Sequence, residues 1–348
     1  MGKVIQRKNY VIIFNASSQT FEDMLLYFDC DIREIRLKEP SLPVAFENVI
    51  GVHENSLRQD LSFTQYFCIQ NEKMCFFYSE KPLFPSIVHF LHFKKTDEIE
   101  THRKLSGKFS EFKTRMVNPY NSGTSNCDSK FRMYEVFKEF GISTPDSRLI
   151  SRFNKRKMDS FMEIARDFSE AGLYVQPDRG TEGEGCFFLE SNDYGKAAPF
   201  INQEGVDIVV RKKAGNTLYK GDSFVLRINV CFDREMFYAD SGYCMVGGKV
   251  VSPSIGARKV NINEVLNYLA VRDEDISRIK ETCCNATRAV FKDTESSLLI
   301  GVDVVLDKQD GYFPYIIDMN PRPVIVGSRI IGTNQIGLGG HFWRGVCY

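Results

Sequence analysis

The sequence predicts an α/β (α+β) chain built from more than one packed unit, on three observations. The chain opens with a short apolar run, Tyr10-Val-Ile-Ile-Phe-Asn15, followed by helical spacing from Thr20 to Phe28, which reads as strand, loop, helix. Near the middle, Leu173-Tyr-Val-Gln-Pro-Asp-Arg-Gly-Thr-Glu-Gly-Glu-Gly-Cys-Phe-Phe-Leu189 reads as strand, glycine loop, strand. Near the end, Gly301-Val-Asp-Val-Val-Leu-Asp307 and Tyr315-Ile-Ile-Asp-Met-Asn-Pro-Arg322 flank a polar turn, and their apolar alternation predicts a hairpin.

Composition bounds the rest. A chain of 348 residues has room for two or three packed units with a sizeable interior. Lys plus Arg and Asp plus Glu are equal at 45 each, so no summed charge draws the chain to nucleic acid or to an acidic membrane. The 28 Phe and 15 Tyr residues, within a hydrophobic content of 43%, fit dense cores without a base-stacking platform. The ten cysteines are scattered, and the adjacent pair Cys283 and Cys284 sits in a helical pattern. That excludes zinc and redox spacings and predicts reduced thiols. The N-terminus turns charged before any long apolar run, and no stretch approaches a membrane span, so the expectation is a soluble cytoplasmic protein. Met1-Gly2 opens a myristoylation pattern that Gln6 breaks.

Further along, the runs from Tyr66 and from Met74 flank the polar turn Asn71-Glu-Lys73 and predict a hairpin. The N-terminal region is therefore α/β, with no readable ligand. His89, His92 and His102 fall in or near an aromatic stretch, and packing is the expectation because no further ligand sits at a supporting metal spacing. Residues 103–126 are polar with Ser-Gly and Asn-Pro breaks, which marks a candidate boundary. Asp128 to Phe140 forms an amphipathic helix stopped by Gly141 and Pro145. Lys130 in its first turn opposes the helix dipole, so it is either a solvated lysine or the partner of an anion drawn to that end.

Gly180, Gly183 and Gly185 give their loop the freedom to turn amides into a phosphate-binding nest. The loop is neither a Walker nor a dinucleotide pattern, and by itself it reads as an ordinary hairpin ahead of a phosphate nest. Asp318 and Asn320 share one strand face, and Asp303 lies on the neighbouring strand. Two carboxylates and an amide oxygen suit magnesium held together with nucleotide phosphates, although a solvated surface hairpin would read the same.

In order, a helix with an early lysine, a glycine-rich hairpin and an acid-bearing strand pair ending Asp-Met-Asn-Pro-Arg322 resemble the ATP-grasp superfamily over about residues 126–332. The resemblance implies an N-terminal α/β pre-ATP-grasp domain at 1–115, a linker helix and lid subdomain at 116–205, and a metal-site subdomain at 206–348. It implies that Lys130 contacts nucleotide phosphate and that Gly180, Thr181, Gly183 and Gly185 close over the phosphates. Asp303, Asp318 and Asn320 would hold the metal, and Arg322 would steady the transferred phosphoryl group. Residues 208–213, with Arg211, Lys212 and Lys213, would form the hinge that holds adenine. Arg227 and Arg258 are candidates for acyl-phosphate or carboxylate contacts, or surface arginines. The chain departs from the family where lysine normally precedes the lid proline. Gln176 stands there, lending a hydrogen bond without charge, and Arg179 is the available substitute. The hinge lacks the usual acid, and Asp318 stands where Glu is commoner.

What the resemblance implies is an ATP-dependent carboxylate-amine ligase, forming an amide through an acyl phosphate and releasing ADP and phosphate. ATP and magnesium, or manganese in its place, would be required. The partners would be a small-molecule carboxylate and amine, an amino acid or peptide, with neither nucleic acid nor membrane; a homodimer is one possible assembly. The alternatives are an ATP-grasp phosphotransferase acting on a non-carboxylate acceptor and a degenerate nucleotide-binding protein. The tail, Gly337-Leu-Gly-Gly-His-Phe-Trp-Arg344, holds the only tryptophan and is expected to dock on the core in preference to the acceptor pocket.

Overall fold

The computed structural model describes residues 9–15, 19–38, 48–91, 96–168, 172–180, 183–190, 193–309, 311–322 and 339–347. They form three sheets, each with its own apolar interior.

The first sheet is built around β1 (Asn9–Phe14), every residue of which is buried. A continuous apolar run is what a strand covered on both faces requires. Around it lie β2 (Asn48–His53), β3 (Phe63–Gln70), β4 (Lys73–Leu83), β5 (Ile87–Leu91) and β6 (Arg115–Val117), in the order β4-β3-β2-β1-β5-β6. β1 runs parallel to β2 and β5, and β5 to β6, while β3 and β4 complete an antiparallel edge. The β3–β4 turn places Asn71 and Glu72 at φ of 49° and 62°, the mirror-image turn that matches strand twist. Helix α1 (Gln19–Lys38) buries Phe21, Met24, Leu25, Phe28, Ile32 and Ile35, one stripe at helical spacing, into the β1 side of the core.

The polar stretch expected as a boundary is largely regular structure. Its first part belongs to α2 (Thr96–Glu111), and its last to α3 (Ser122–Cys127). His102, Ser106 and Phe109 repeat at three- and four-residue spacing on the buried face of α2. Two polar residues in that stripe conceal the helix from a hydrophobicity reading.

The second sheet follows α4 (Lys130–Glu139), whose N-cap is Ser129. It contains β7 (Ser147–Ile150), β8 (Leu173–Pro177), β9 (Phe187–Leu189) and β10 (Ile208–Lys212), in the antiparallel order β7-β10-β8-β9. β10 lies past the expected division at 205/206 and pairs here with β7 and β8. Helices α5 (Lys157–Asp167) and α6 (Ala198–Ile201) cover one face through Phe161, Ala165 and Ile201.

The third sheet, β13-β12-β11-β14-β15, is antiparallel throughout. Its strands are β11 (Ser223–Phe232), β12 (Phe237–Gly247), β13 (Arg258–Val260), β14 (Leu298–Asp307) and β15 (Phe313–Asn320). After β13 come α7 (Ile262–Tyr268) and α8 (Asp273–Val290). α8 packs Ile279, Cys283, Ala286 and Val290 with Met133 and Phe137 of α4 against one sheet face, forming the largest core. Each fully buried aliphatic or aromatic side chain there contributes roughly 1.5–3 kcal/mol. Burial raises the Cys283 thiol well above its usual range, and the described cysteines are unbridged.

The last helix, α9 (Gly339–Cys347), docks on the core of the first sheet: Phe342, Trp343 and Val346 are buried among Tyr10, Phe28 and Ile32, and the indole N–H of Trp343 donates to Asp31. Gly337 of the expected tail lies outside the described residues. Among the described residues no helix is long and apolar enough to cross a membrane.

Candidate functional site

One face of the third sheet carries the candidate site in ordered rows. Register across β12, β11, β14 and β15 sets Tyr243, Arg227, Asp303 and Asp318 side by side. Two residues along, the next row is Ser241, Asn229, Gly301 and Asn320. On the other side, Val225 and Met245 pair and pack with Tyr243, Val305 and Ile317. The period of two along a strand makes each row share one face. The result runs from an apolar floor, through a charged row, to a small polar row.

Within the charged row Arg227 grips Asp303 with a two-pronged ion pair. Nη2 lies 2.9 Å from Oδ2, and Nε donates to Oδ1. Both residues are 8% exposed. Burial alone lowers the Arg227 pKa, but the Asp303 carboxylate, with Tyr243 and Asp318, outweighs it and raises the pKa, so this guanidinium is permanently charged.

A cavity of about 490 Å³ lies between this face and the second sheet. Asp303, Asp318, Asn320, Arg322 and Arg227 line it from one side, and Lys130, Gln176, Gly180 and Gly183 from the other. Lys130 begins α4, and its Nζ donates to the Gly180 carbonyl at 3.1 Å. Asp178, just before the glycine loop, accepts from the Phe131 amide at 2.8 Å and the Ser129 hydroxyl at 3.0 Å. The loop and the start of α4 are thus fastened together, with the orphan amides of the helix satisfied by a carboxylate.

Arg211, Lys212 and Lys213 of the hinge segment also line the cavity. Arg211 spends two of its donors on protein, Nη1 to the Ile317 carbonyl at 2.6 Å and Nε to Ser147 Oγ at 3.2 Å, joining the second sheet to β15. Burial lowers its pKa, and Asp318 opposes the shift. Cys186 lines the cavity as well, its thiol pushed up to about 11 by burial, so it is a poor nucleophile.

Several expected residues are elsewhere. Arg258 does not line the cavity; it lies 3.9 Å from Asp222 and over the Tyr219 ring. Its neighbour Lys259 lines it instead, because adjacent strand residues point to opposite faces. Burial, and then Arg227, lower the Lys259 pKa. Arg179 is exposed and outside the cavity lining. Gly185 is outside it too, set against Pro177 and Phe200. Thr181 and His92 lie outside the described residues. His89 is a packing residue, as expected: it is fully buried, accepts from or donates to the Tyr10 hydroxyl at 2.7 Å, and its pKa is lowered to about 3 by burial. His102 is buried but bonded to Arg322. Nothing in the sequence marks that contact or the places of Asp128, Tyr243 and Lys259, beyond the strand alternation at Tyr243 and Lys259.

The donor set fits a hard divalent ion. Asp303 and Asp318 are opposite each other in register, and Asn320 follows on the same strand face. Among the described residues no cluster of three His, Cys, Asp or Glu side chains exists. Two carboxylates and one amide therefore suit an ion that brings water and phosphate oxygens as its remaining ligands, as magnesium does.

No protein-family model and no curated protein matches the sequence. Solved structures do match. The VanG D-Ala:D-Ser ligase from Enterococcus faecalis superposes with a TM-score of 0.62 at 14% identity, over 98% of this chain and 99% of that one. The chain has the ATP-grasp fold. The D-alanyl-alanine synthetase A from Vibrio cholerae O1 biovar eltor str. N16961 gives 0.59 at 11% identity, covering 95% and 92% of the two chains. The D-cycloserine synthetase DcsG gives 0.58 at 11%, covering 97% and 98%. The likeness in fold thus extends past residues 126–332 to the first sheet.

Proposed function

We propose that the protein is an ATP-dependent carboxylate-amine ligase using magnesium or manganese. The observation that carries this reading is the charged row Arg227, Asp303, Asp318 on the cavity floor, facing Lys130 and the glycine loop. The D-Ala:D-Ser ligase and D-cycloserine synthetase likenesses support it as fold neighbours.

In this reading the apolar floor of Val225, Met245 and Val305 takes the base, and the hinge segment its edge. Lys130 and the loop amides take phosphate oxygens. Asp303, Asp318 and Asn320 would hold the metal, which would supply charge neutralisation for phosphoryl transfer. Arg322 stabilises the transferring phosphoryl group, and the cavity walls limit access of water to the acyl phosphate until an amine displaces phosphate. Each step needs placement and charge, and no covalent protein nucleophile. Gln176 leaves the lid contact uncharged, so Lys130 and Arg322 carry more of the neutralisation.

The test is ADP and phosphate release from ATP with magnesium across pooled amino acids and other carboxylates, with Asp318→Asn as control. Release that requires both a carboxylate and an amine supports the ligase; release with a hydroxyl acceptor would replace it with a phosphotransferase. A second reading, a nucleotide-binding protein without turnover, is favoured by Gln176 and by the engagement of both Asp303 oxygens with Arg227. It predicts ATP-dependent thermal stabilisation with no release in any substrate mixture.

A further inference from the structure

Arg322 ends the acid-bearing hairpin and lines the cavity, yet it is held from outside the third sheet. Its Nη1 lies 3.0 Å from Nδ1 of His102, on α2 of the N-terminal domain, and its Nη2 donates to Asp128, between α3 and α4. His102 is 0% and Asp128 5% exposed. A guanidinium can only donate, so His102 Nδ1 accepts. The imidazole proton is then on Nε2, which donates to the Asn118 carbonyl at 3.1 Å. Asn118 in turn fixes the hairpin base, giving its side-chain N–H groups to the carbonyls of Leu299 at 2.7 Å and Pro321 at 2.6 Å and accepting the Leu299 amide at 2.7 Å. The imidazole is packed between Phe90 and Tyr120, at ring separations of 4.6 Å and 5.5 Å. Two buried polar atoms of this cluster remain without partners, Arg322 Nε and Asp128 Oδ2.

On the ligase reading above, we infer that His102 and Asp128 are positioning residues that clamp Arg322 by its two terminal nitrogens. The clamp uses one N–H of each terminal nitrogen and fixes the plane of the guanidinium at the cavity wall, so that its remaining N–H groups are held ready for an oxygen of the transferring phosphoryl group. An arginine already ordered loses no rotamer freedom when charge develops on that group, which is where preorganised donors are most effective. Asp128 compensates the buried charge, and neutral His102 sets the angle without adding a second cation. The N-terminal domain therefore supplies part of the catalytic apparatus although His102 does not touch the cavity.

The test compares His102→Phe, which keeps the ring packing and removes the acceptor, with His102→Asn, which restores an acceptor at the Nδ1 position. Each is titrated with MgATP, and with MgADP plus aluminium fluoride as a mimic of the transferring group. The phenylalanine variant is expected to bind MgATP within about twofold of wild type and the mimic about tenfold or more weakly, and the asparagine variant to recover most of that loss. Equal weakening toward both ligands would show a merely structural role, and unchanged binding of the mimic would show none; either overturns the inference while leaving the ligase reading intact. A wild-type chain that binds neither ligand would overturn the ligase reading and this inference with it. The nitrogen-15 spectrum of His102 separates the clamp from both: an unprotonated Nδ1 that shifts in Arg322→Lys is expected, and a protonated Nδ1 would refute the clamp.

Discussion

Arg227 and Asp303, 76 residues apart in the chain, face each other across β11 and β14 and form a buried two-pronged ion pair on the cavity floor. On the ligase reading the pair joins stability to function, because a carboxylate assigned to the metal would be held ordered before any metal arrives. It also carries a cost, since ions removed from water must be matched closely.

Removing one partner exposes that cost. Arg227→Met should lower unfolding stability by about 3–5 kcal/mol, as the buried Asp303 carboxylate would lose its two-pronged cationic partner. Urea unfolding with and without magnesium checks it. The variant should gain more from the ion than wild type does, since the metal would replace the lost cation at Asp303.

Asp318 is expected to matter for the metal and little for the fold, being partly exposed on the final strand of the sheet. Asp318→Asn should abolish magnesium-dependent ADP release while leaving the thermal midpoint within a few degrees of wild type. Retained full activity would sink the metal assignment.

Gln176 is 8% exposed and lines the cavity from β8. If it faces phosphate, Gln176→Lys should lower the KM for ATP and leave kcat unchanged or higher, by analogy with charge-assisted hydrogen bonds that are roughly twice as strong as neutral ones. A large fall in kcat would instead assign Gln176 to substrate contact or close packing.

The glycine loop depends on Gly183, whose φ is +75° and where an added Cβ would sit 3.0 Å from the Ser252 Cβ. Gly183→Ala should raise the KM for ATP several-fold and cost about 1–3 kcal/mol of local strain. Steady-state kinetics with hydrogen exchange over the loop would detect both.

His89 supplies a pH dependence. Burial lowers its folded pKa to about 3, so the folded state holds it neutral while the unfolded chain protonates it near 6.5. The stability it confers is complete above about pH 6.5 and is lost as pH falls toward 3, by on the order of 4–5 kcal/mol in full. His89→Asn keeps an acceptor for Tyr10 and should flatten the stability profile across that window relative to wild type, measured by denaturant midpoints at each pH.

Features that depend on neighbours in sequence were readable without coordinates. The acid-bearing hairpin is one, because turn residues and alternation bring Asp303 and Asp318 together locally, and β15 then sets Asn320 on the Asp318 face. The glycine loop and α4 are others, as composition and helical spacing act over a few residues. Asn71 and Glu72 likewise sit in a turn their polarity marked. The tail docked as a core element because its aromatic residues had no other way to leave water.

Tertiary structure decided everything that depends on which face a strand presents and on which distant groups are buried together. Alternation separates Arg258 from Lys259 but does not say which one meets the cavity; that follows from the register of β13 on β12. His102 and Arg322 are 220 residues apart and Asp128 and Arg322 are 194 apart. No local pattern encodes such a meeting, since it arises only when separate domains exclude water from charged groups that must then find partners. The sequence alone marked β1, the β3–β4, β8–β9 and β14–β15 hairpins and the two acids with an amide on the last of them; packing decided their company, because burial is a property of the assembled fold and not of any segment.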